Sequence, residues 1–271
     1  MDQTNNLVGN SVVEGEALSL PQQESGNLGP LQRLSGVLFS PGKTFEDINR
    51  KPTWLAPIII ATIISGAFVV YHQFVVKADW IAIAGEEMKR AAALGAAPNR
   101  PMRPQELART AAFNRAVTTA SYLIEPPITC LILAAVFALA LMLMQAQATF
   151  RKILSVVAWS YCGVGLISTV VLAGSMWARG FEDVRALTVQ KLANLSLSNP
   201  GVLLPSNASP SLRALLDSID LFSVWLIVLL AMGFAATGGS KRITTSGTGA
   251  VVAVLWALYV VGKIGWAALF G

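Results

Sequence analysis

Five long stretches without a charged side chain most constrain what this sequence can fold into. Each is about 20 residues or longer, which is enough to cross a roughly 30 Å hydrocarbon layer as an α-helix. They cover residues 52–76, 126–150, 153–178, 221–240 and 243–262. Helices are expected because lipid leaves no water to satisfy unpaired backbone groups. The sequence therefore predicts an all-α, polytopic integral membrane protein with five transmembrane helices, over about 54–76, 128–144, 153–177, 221–237 and 250–270.

The composition excludes most alternative classes. Of 271 residues, 54% are hydrophobic and 13% charged, whereas soluble domains carry about 25% charged residues. One His and two Cys cannot form a structural zinc site with four such ligands. The motifs G-x-S-x-G, H-E-x-x-H and G-x-x-x-x-G-K-[ST] are absent. The net charge of +5 is spread along the chain rather than gathered on one surface. We therefore expect no enzyme activity, cofactor, metal or nucleic-acid partner.

Residues 1–30 are predicted to form a disordered acidic tail, followed by the membrane domain over 31–271. The tail carries Asp2, Glu14, Glu16 and Glu24, and no Lys or Arg precedes Arg33. A secretory signal peptide begins with basic residues and continues into an apolar core. The pattern therefore favours a polar tail over a signal peptide.

Short basic segments predict the orientation of the chain. They precede the first span, follow the second and follow the fourth, so two spans separate each from the next and all three lie on one side; the odd total of five spans places the two termini on opposite sides. Their basic residues are Lys43, Arg50, Lys51, Arg151, Lys152, Lys241 and Arg242. Lys and Arg in short loops are enriched on the cytoplasmic side. We therefore expect a cytoplasmic N-terminus and an external C-terminus.

A juxtamembrane amphipathic segment is predicted over residues 31–50. Ser40 and Pro41 suit the start of a short helix. One interpretation lets the apolar side chains enter the lipid interface while the basic ones meet headgroups. The other packs a short helix against the bundle. The candidate interfacial or partner-binding residues are Pro41, Lys43, Phe45, Ile48, Lys51 and Trp54.

The two long connectors are predicted to be partly helical. In the first, a helix is expected near 85–94 with Glu86 and Arg90 paired, and another from Gln105 into the second span with a bend at Pro126-Pro127. In the second, a helix is expected over 181–195, followed by a Pro- and Ser-rich linker over 199–210.

Five ionisable residues near the span ends form a candidate polar membrane cluster. They are His72, Glu125, Asp217, Asp220 and Lys263. The span directions place all five in the outer half of the membrane. They suggest either a site that handles protons or cations, or separate interfacial residues with Lys263 extended towards water and the acids at helix starts.

Two regions resemble the Yip family of multi-spanning membrane proteins. They are 39–48 (FSPGKTFEDI) with 51–57 (KPTWLAP), and 150–161 (FRKILSVVAWSY). The resemblance is to bacterial members, relatives of the eukaryotic Ypt/Rab-interacting proteins, and covers about 31–270. It implies a five-helix fold, a cytosolic N-terminus, no catalytic residue and a location in the bacterial inner membrane. The eukaryotic D-L-Y-G-P and G-Y-G signatures are absent, so no GTPase binding is implied.

Two functions are consistent with these features. The first is a non-enzymatic membrane scaffold or adaptor, acting in membrane organisation or trafficking-like processes. The alternative is a transporter or channel component that uses the polar cluster. The expected partners are the lipid bilayer and a membrane protein, and association with a second copy of the chain is left open.

Overall fold

The computed structural model describes residues 28–93, 95, 102–188, 191–192, 194–196, 198–205, 208–240 and 243–270. All regular secondary structure in these residues is helical, as predicted. The α-helices are α1 (Pro30–Phe39), α2 (Pro41–Arg50), α3 (Leu55–Val70), α4 (Trp80–Ala93), α5 (Pro104–Leu143), α6 (Phe150–Arg179), α7 (Phe181–Val184), α8 (Pro210–Leu216), α9 (Leu221–Thr237) and α10 (Thr245–Phe270). A π-helical turn (Tyr71–Val75) extends α3, and 3₁₀ turns lie at Asn194–Ser196 and Pro200–Leu203. The predicted tail lies outside the described residues up to residue 27.

Four helical segments are long and apolar enough to cross a membrane. They are Leu55–Val75, Pro104–Leu143, Phe150–Arg179 and Thr245–Leu269. The remaining predicted span is α9, which has 17 residues and follows α8 across a bend of 50°. The described chain therefore has four candidate spans, or five when α8 and α9 are taken together.

The helix α5 is longer than any bilayer requires. Its 40 residues correspond to about 60 Å, roughly twice the hydrocarbon thickness. Its charged residues all lie between Glu106 and Glu125. The expected connector helix and second span are thus one element, which continues through Pro126 and Pro127. The charged first half projects from the apolar layer.

The first two helices form an antiparallel hairpin around Ser40. Gly36 faces Thr44 so closely that a Cβ on Gly36 would overlap the threonine hydroxyl. Phe45 and Ile48 of α2 are fully buried. The interpretation that these two side chains enter the lipid interface is therefore wrong, and α2 packs on the bundle. The reason is a slot at Gly233 of α9, where a Cβ would lie 3.1 Å from the Phe45 ring.

The turns on the hairpin side of the bundle meet each other. The Gln147 N–H, between α5 and α6, donates to the Gly238 carbonyl after α9 at 2.9 Å. Because Gly233 lies one turn before the end of α9, the hairpin packs beside these turns. The hairpin, the α5–α6 turn and the α9–α10 turn therefore lie at one end of the bundle, the amino-terminal end.

Both long connectors lie at the opposite end. The Asp79 N–H of the first connector donates to the Arg185 carbonyl of the second at 2.8 Å. Glu86 of α4 also lies 4.0 Å from the Lys191 ammonium, and 3.1 Å from that of Lys89. The hydrogen bond from Lys89 holds the pKa of Glu86 below its usual range. The connectors therefore contact each other across the bundle end.

The helix predicted over 181–195 is wrong in extent. The helix α7 ends at Val184, residues 185–188 are not helical, Lys191 and Leu192 are helical again, and a 3₁₀ turn follows at Asn194–Ser196. Val184, Leu192 and Leu195 are buried against the ends of α3 and α6. The Arg185 carbonyl accepts the Asp79 N–H of the first connector, so contact between the connectors interrupts the helical pattern just after α7.

The main core fills the amino-terminal half of the bundle. It contains Trp159 of α6, whose indole N–H donates to the Thr53 carbonyl at 2.9 Å, and Phe234 of α9. Cys130 and Cys162 are buried in the same core as free thiols. They pack there as small apolar residues.

Candidate functional site

A cavity of about 740 Å³ opens at the connector end of the bundle. The late parts of α3, α6 and α10 line it together with α8, the start of α9 and the second connector. Phe68, Leu172 and Phe222 give it apolar walls. Its polar residues are Ser65, Arg90, Ser168, Thr169, Asn194, Ser196, Ser198, Asn199, Arg213, Asp217, Asp220 and Lys263. This volume and mixed lining are typical of a small-molecule site.

Two unpartnered oxygen acceptors lie together in one corner of the cavity. Asn199 is 9% exposed. Its Oδ1 and the Asp217 Oδ1 are buried and meet no hydrogen-bond donor in the described residues. A Cβ on Gly201 would overlap Asp217 Oδ1 and lie 3.0 Å from Asn199 Oδ1. The Asp217 oxygen therefore occupies the position that a side chain at residue 201 would take, with the Asn199 oxygen beside it. A buried acceptor without a donor is costly, so this corner is suited to a ligand that donates hydrogen bonds.

Two basic residues of the cavity, Lys263 and Arg213, have neutral hydrogen-bond partners. The Lys263 ammonium donates to the Ser218 hydroxyl at 3.0 Å, and an Arg213 Nη2 donates to the Pro205 carbonyl at 2.9 Å. Ser218 in turn donates to the Ala214 carbonyl. Within the described residues, no ion pair joins Lys263 to Asp217 or Asp220. Lys263 is therefore bound to a hydroxyl rather than to a carboxylate of the polar membrane cluster.

Asp220 has a structural task at the start of α9. Its Oδ1 accepts hydrogen bonds from the backbone N–H groups of Phe222 and Ser223, each at 2.9 Å. The hydroxyl of Ser223 donates to its other oxygen. This is the N-cap arrangement that stabilises a helix start. Asp220 lines the cavity, but its carboxylate is largely occupied by the helix.

His72 lies behind the cavity rather than in it. The imidazole is 4% exposed and parallel to the Phe68 ring, with ring centroids 6.2 Å apart. The Trp80 ring meets its other side edge-on. His72 Nε2 has no hydrogen-bond partner among the described residues. The Phe68 ring lines the cavity on one side and contacts the His72 ring on the other, so it lies between His72 and the cavity.

Glu125 lies apart from the other cluster residues. Its Oε1 accepts a hydrogen bond from the Tyr161 hydroxyl at 2.7 Å and is 3.4 Å from the Thr129 hydroxyl. Glu125 does not line the cavity. The structure thus brings Asp217, Asp220 and Lys263 together, places His72 one side chain away, and separates Glu125.

The remaining residues of the candidate interfacial segment lie at the amino-terminal end. Pro41 is the first residue of α2. Lys43 and Lys51 are exposed, and Trp54 is 37% exposed just before α3. Only Phe45 and Ile48 are withdrawn into the core. The surface-exposed part of this segment is therefore basic.

An ion pair that the sequence did not indicate joins the two helices of the hairpin. The Arg33 guanidinium lies 2.7 Å from the Asp47 carboxylate, and their side chains are 3% and 13% exposed. Arg33 also donates to the Thr53 hydroxyl. The one sequence signal was that Arg33 is the first basic residue after a long basic-free tail. In the cavity, Asn199 and Gly201 were also missed, because nothing in a Pro- and Ser-rich linker indicates which groups it buries, and so was Arg213 on α8.

These features define a polytopic, α-helical integral membrane protein with a polar cavity at one end and a fixed helical hairpin at the other. Within the described residues, no group of three or more His, Cys, Asp or Glu side chains could hold a metal ion. The Yip1 domain model matches residues 35–268, so the chain belongs to the Yip1 family. No curated protein and no solved structure is found to match it.

Proposed function

We propose that this protein is a non-enzymatic membrane scaffold or adaptor that recruits a membrane-protein partner at its amino-terminal end. One observation carries the proposal. The α1–α2 hairpin precedes the first span, is closed by the Arg33–Asp47 ion pair, and is fixed to the bundle by buried Phe45. Membership of the Yip1 family agrees with such a role.

The fixed hairpin presents a distinct outer surface. Leu31 and Phe39 are 76% and 80% exposed, although they lie outside every candidate span. Lys43 is exposed at the start of α2. Large apolar side chains outside the lipid layer favour contact with a partner, and the neighbouring Lys favours one with acidic groups. The outer surface of the hairpin thus carries two apolar anchors, Leu31 and Phe39, and a basic rim formed by Lys43.

The proposed orientation has the hairpin in the cytoplasm of a bacterial cell and the cavity end outside. The exposed basic residues of the amino-terminal end support it, since Arg50, Lys51 and Arg151 are all exposed there. Basic residues in short segments favour the cytoplasmic side. This orientation also allows the basic rim to meet anionic lipid headgroups.

Photo-crosslinking in intact membranes tests the scaffold function. A photoreactive residue at Leu31 or Phe39 is expected to give a discrete protein adduct. The same probe at Leu258, an exposed apolar position of α10, is expected to label lipid alone. Phe39→Ser should remove the Leu31 adduct, because it removes the second anchor. Labelling of lipid alone from all three positions would contradict the proposal.

Point variants are needed because a truncation would not be informative. Removing residues 1–52 would delete Phe45 and Ile48 from the core and unfold the bundle. Lys43→Glu provides the matched charge test. It should weaken the same adduct, whereas Glu87→Lys, at an exposed position of α4, should leave it unchanged.

A transporter or channel component is the second candidate, and the polar cavity favours it. Beyond the cavity, the amino-terminal half of the bundle is filled by the main core, including Trp159 and Phe234, so transport would require these helices to separate. Proton or Na⁺ uptake into vesicles containing the purified protein tests this function. Uptake should vanish when Asp217, Asp220 and Lys263 are all replaced by Ala, and unchanged uptake would contradict it.

A further inference from the structure

The cavity at the connector end presents charges of both signs that do not neutralise each other. Asp217 has an oxygen without a donor, and Lys263 and Arg213 donate to a hydroxyl and to a backbone carbonyl. Charges near the membrane interior that lack a counter-charge are costly. A ligand that carries both signs would satisfy the acidic and basic groups together.

The acidic corner has the geometry of an ammonium site. Asn199 Oδ1 and Asp217 Oδ1 lie next to each other beside Gly201, and Asn199 is 9% exposed. A primary ammonium has three N–H donors and no acceptor, so it can bond both oxygens. A bare phosphate or carboxylate would instead be repelled by these acceptors.

The basic residues and apolar walls define the rest of the ligand. Lys263 and Arg213 can bind an anionic oxygen, for which Arg offers a planar fork of donors. Phe68 and Leu172 continue the cavity with apolar surface. The helix α10 packs mainly on α8 and α9. Only 11% of the apolar stretch by which α10 would cross the membrane is buried inside the protein. This side of the bundle therefore faces the lipid.

We propose that this cavity binds a zwitterionic phosphoethanolamine group, with its ammonium between Asn199 and Asp217 and its phosphate on Lys263 and Arg213. The group has two sources that share this chemistry. One is the headgroup of a phosphatidylethanolamine lipid entering beside α10, and the other is a soluble phosphoethanolamine entering from the external solution.

Titration of the purified full-length protein in detergent tests the proposal. The probes are dihexanoyl-phosphatidylethanolamine, dihexanoyl-phosphatidylglycerol and free phosphoethanolamine, followed by calorimetry. We expect one ethanolamine lipid per chain, bound at least about tenfold more tightly than the glycerol lipid, the difference expected from a charge-assisted hydrogen bond. Free phosphoethanolamine binding as tightly as the lipid would support the chemistry and assign the soluble source. Equal affinity for the two lipids would overturn the proposal.

Variants separate the two halves of the site. Asp217→Asn should lower the affinity for the ethanolamine lipid about tenfold and leave the affinity for the glycerol lipid unchanged. Gly201→Ala should do the same, because its Cβ would displace the Asp217 oxygen from its place beside Asn199. Lys263→Met should weaken both lipids. The matched controls are Asp183→Asn, at an exposed position of α7, and Gly174→Ala, where a Cβ meets open space.

The proposal stays falsifiable if one variant fails to fold. Elution as a single peak in size-exclusion chromatography identifies the folded variants. Should Asp217→Asn aggregate, the lipid selectivity of the unmodified protein and the Lys263→Met variant still decide the outcome. Unchanged affinity for the ethanolamine lipid in a folded Asp217→Asn or Lys263→Met variant would overturn the proposal. None of these measurements involves the α1–α2 hairpin, so their failure is distinct from failure of the scaffold function.

Discussion

Arg33 shows how a single residue can tie a segment outside the membrane to a bundle within it. Its guanidinium bonds Asp47 of the neighbouring helix and Thr53 just before the first span. The Thr53 carbonyl in turn accepts the Trp159 indole N–H. A continuous set of hydrogen bonds therefore links α1, α2, the start of α3 and the core of α6.

Asp47→Asn is expected to destabilise the protein by about 3 kcal/mol, because it leaves a buried guanidinium without its counter-charge. A lower melting temperature in detergent would show this. Glu46→Gln is the matched control, since Glu46 is exposed on the same helix and should change stability by less than about 0.5 kcal/mol. Equal melting temperatures for the two variants would argue against a stabilising ion pair.

Gly233→Ala is expected to cost about 1–3 kcal/mol, the usual effect of overpacking a filled core. The added Cβ would overlap Val156 Cγ1 and crowd the Phe45 ring. Gly174→Ala places a methyl in open space and should remain within about 0.5 kcal/mol of the parent protein. The comparison uses the same melting experiment, and a stable Gly233→Ala variant would contradict the close fit of α2 on α9.

At the scale of elements, the spans could be predicted and the packing of the connectors could not. An uncharged run of sufficient length has few alternatives to crossing lipid. The bounds of α9 and the end of the helical segment that contains α3 therefore agree with those predicted from the sequence. The apolar stripe of α2, in contrast, suits either lipid or another helix. The slot at Gly233 decides between them, and a slot on a distant helix leaves no pattern in the α2 sequence.

The candidate site was predictable in part for the same reason. Span direction alone brings Asp217, Asp220 and Lys263 to one end. It does not indicate that Glu125 turns towards Tyr161, because two residues at the same depth can point to different sides of a bundle. Asn199 and Gly201 belong to an irregular segment, whose path depends on long-range packing rather than on local periodicity.

Phe45→Ala is expected to destabilise the bundle by about 3–5 kcal/mol, the cost of deleting a large buried ring. Phe39→Ala, on the partner helix of the hairpin, should change stability by less than about 0.5 kcal/mol because that ring is exposed. Melting curves in detergent measure both. A greater loss of stability for Phe39→Ala than for Phe45→Ala would indicate that the opposite face of the hairpin packs on the bundle.

At the scale of the whole molecule, contacts between the connectors place α4 and α7 on one side of the membrane and the hairpin on the other. In the proposed orientation, Cys introduced at Glu87 or Asp183 should react with an impermeant maleimide added outside intact cells. Cys introduced at Lys43 should react only after lysis. The native Cys130 and Cys162 are buried and should stay unlabelled. Labelling of Glu87 and Asp183 positions from opposite sides would contradict this architecture.

The length of α5 has a mechanical consequence for the whole protein. Half of this continuous helix lies among lipid-facing helices, and the other half reaches into water beside α4. A rigid rod that pivots at the membrane surface amplifies small rotations. A tilt of about 10° within the bilayer would move its free end by roughly 5 Å. Changes in membrane thickness or lateral pressure would thereby displace the first half of α5, which lies outside the lipid.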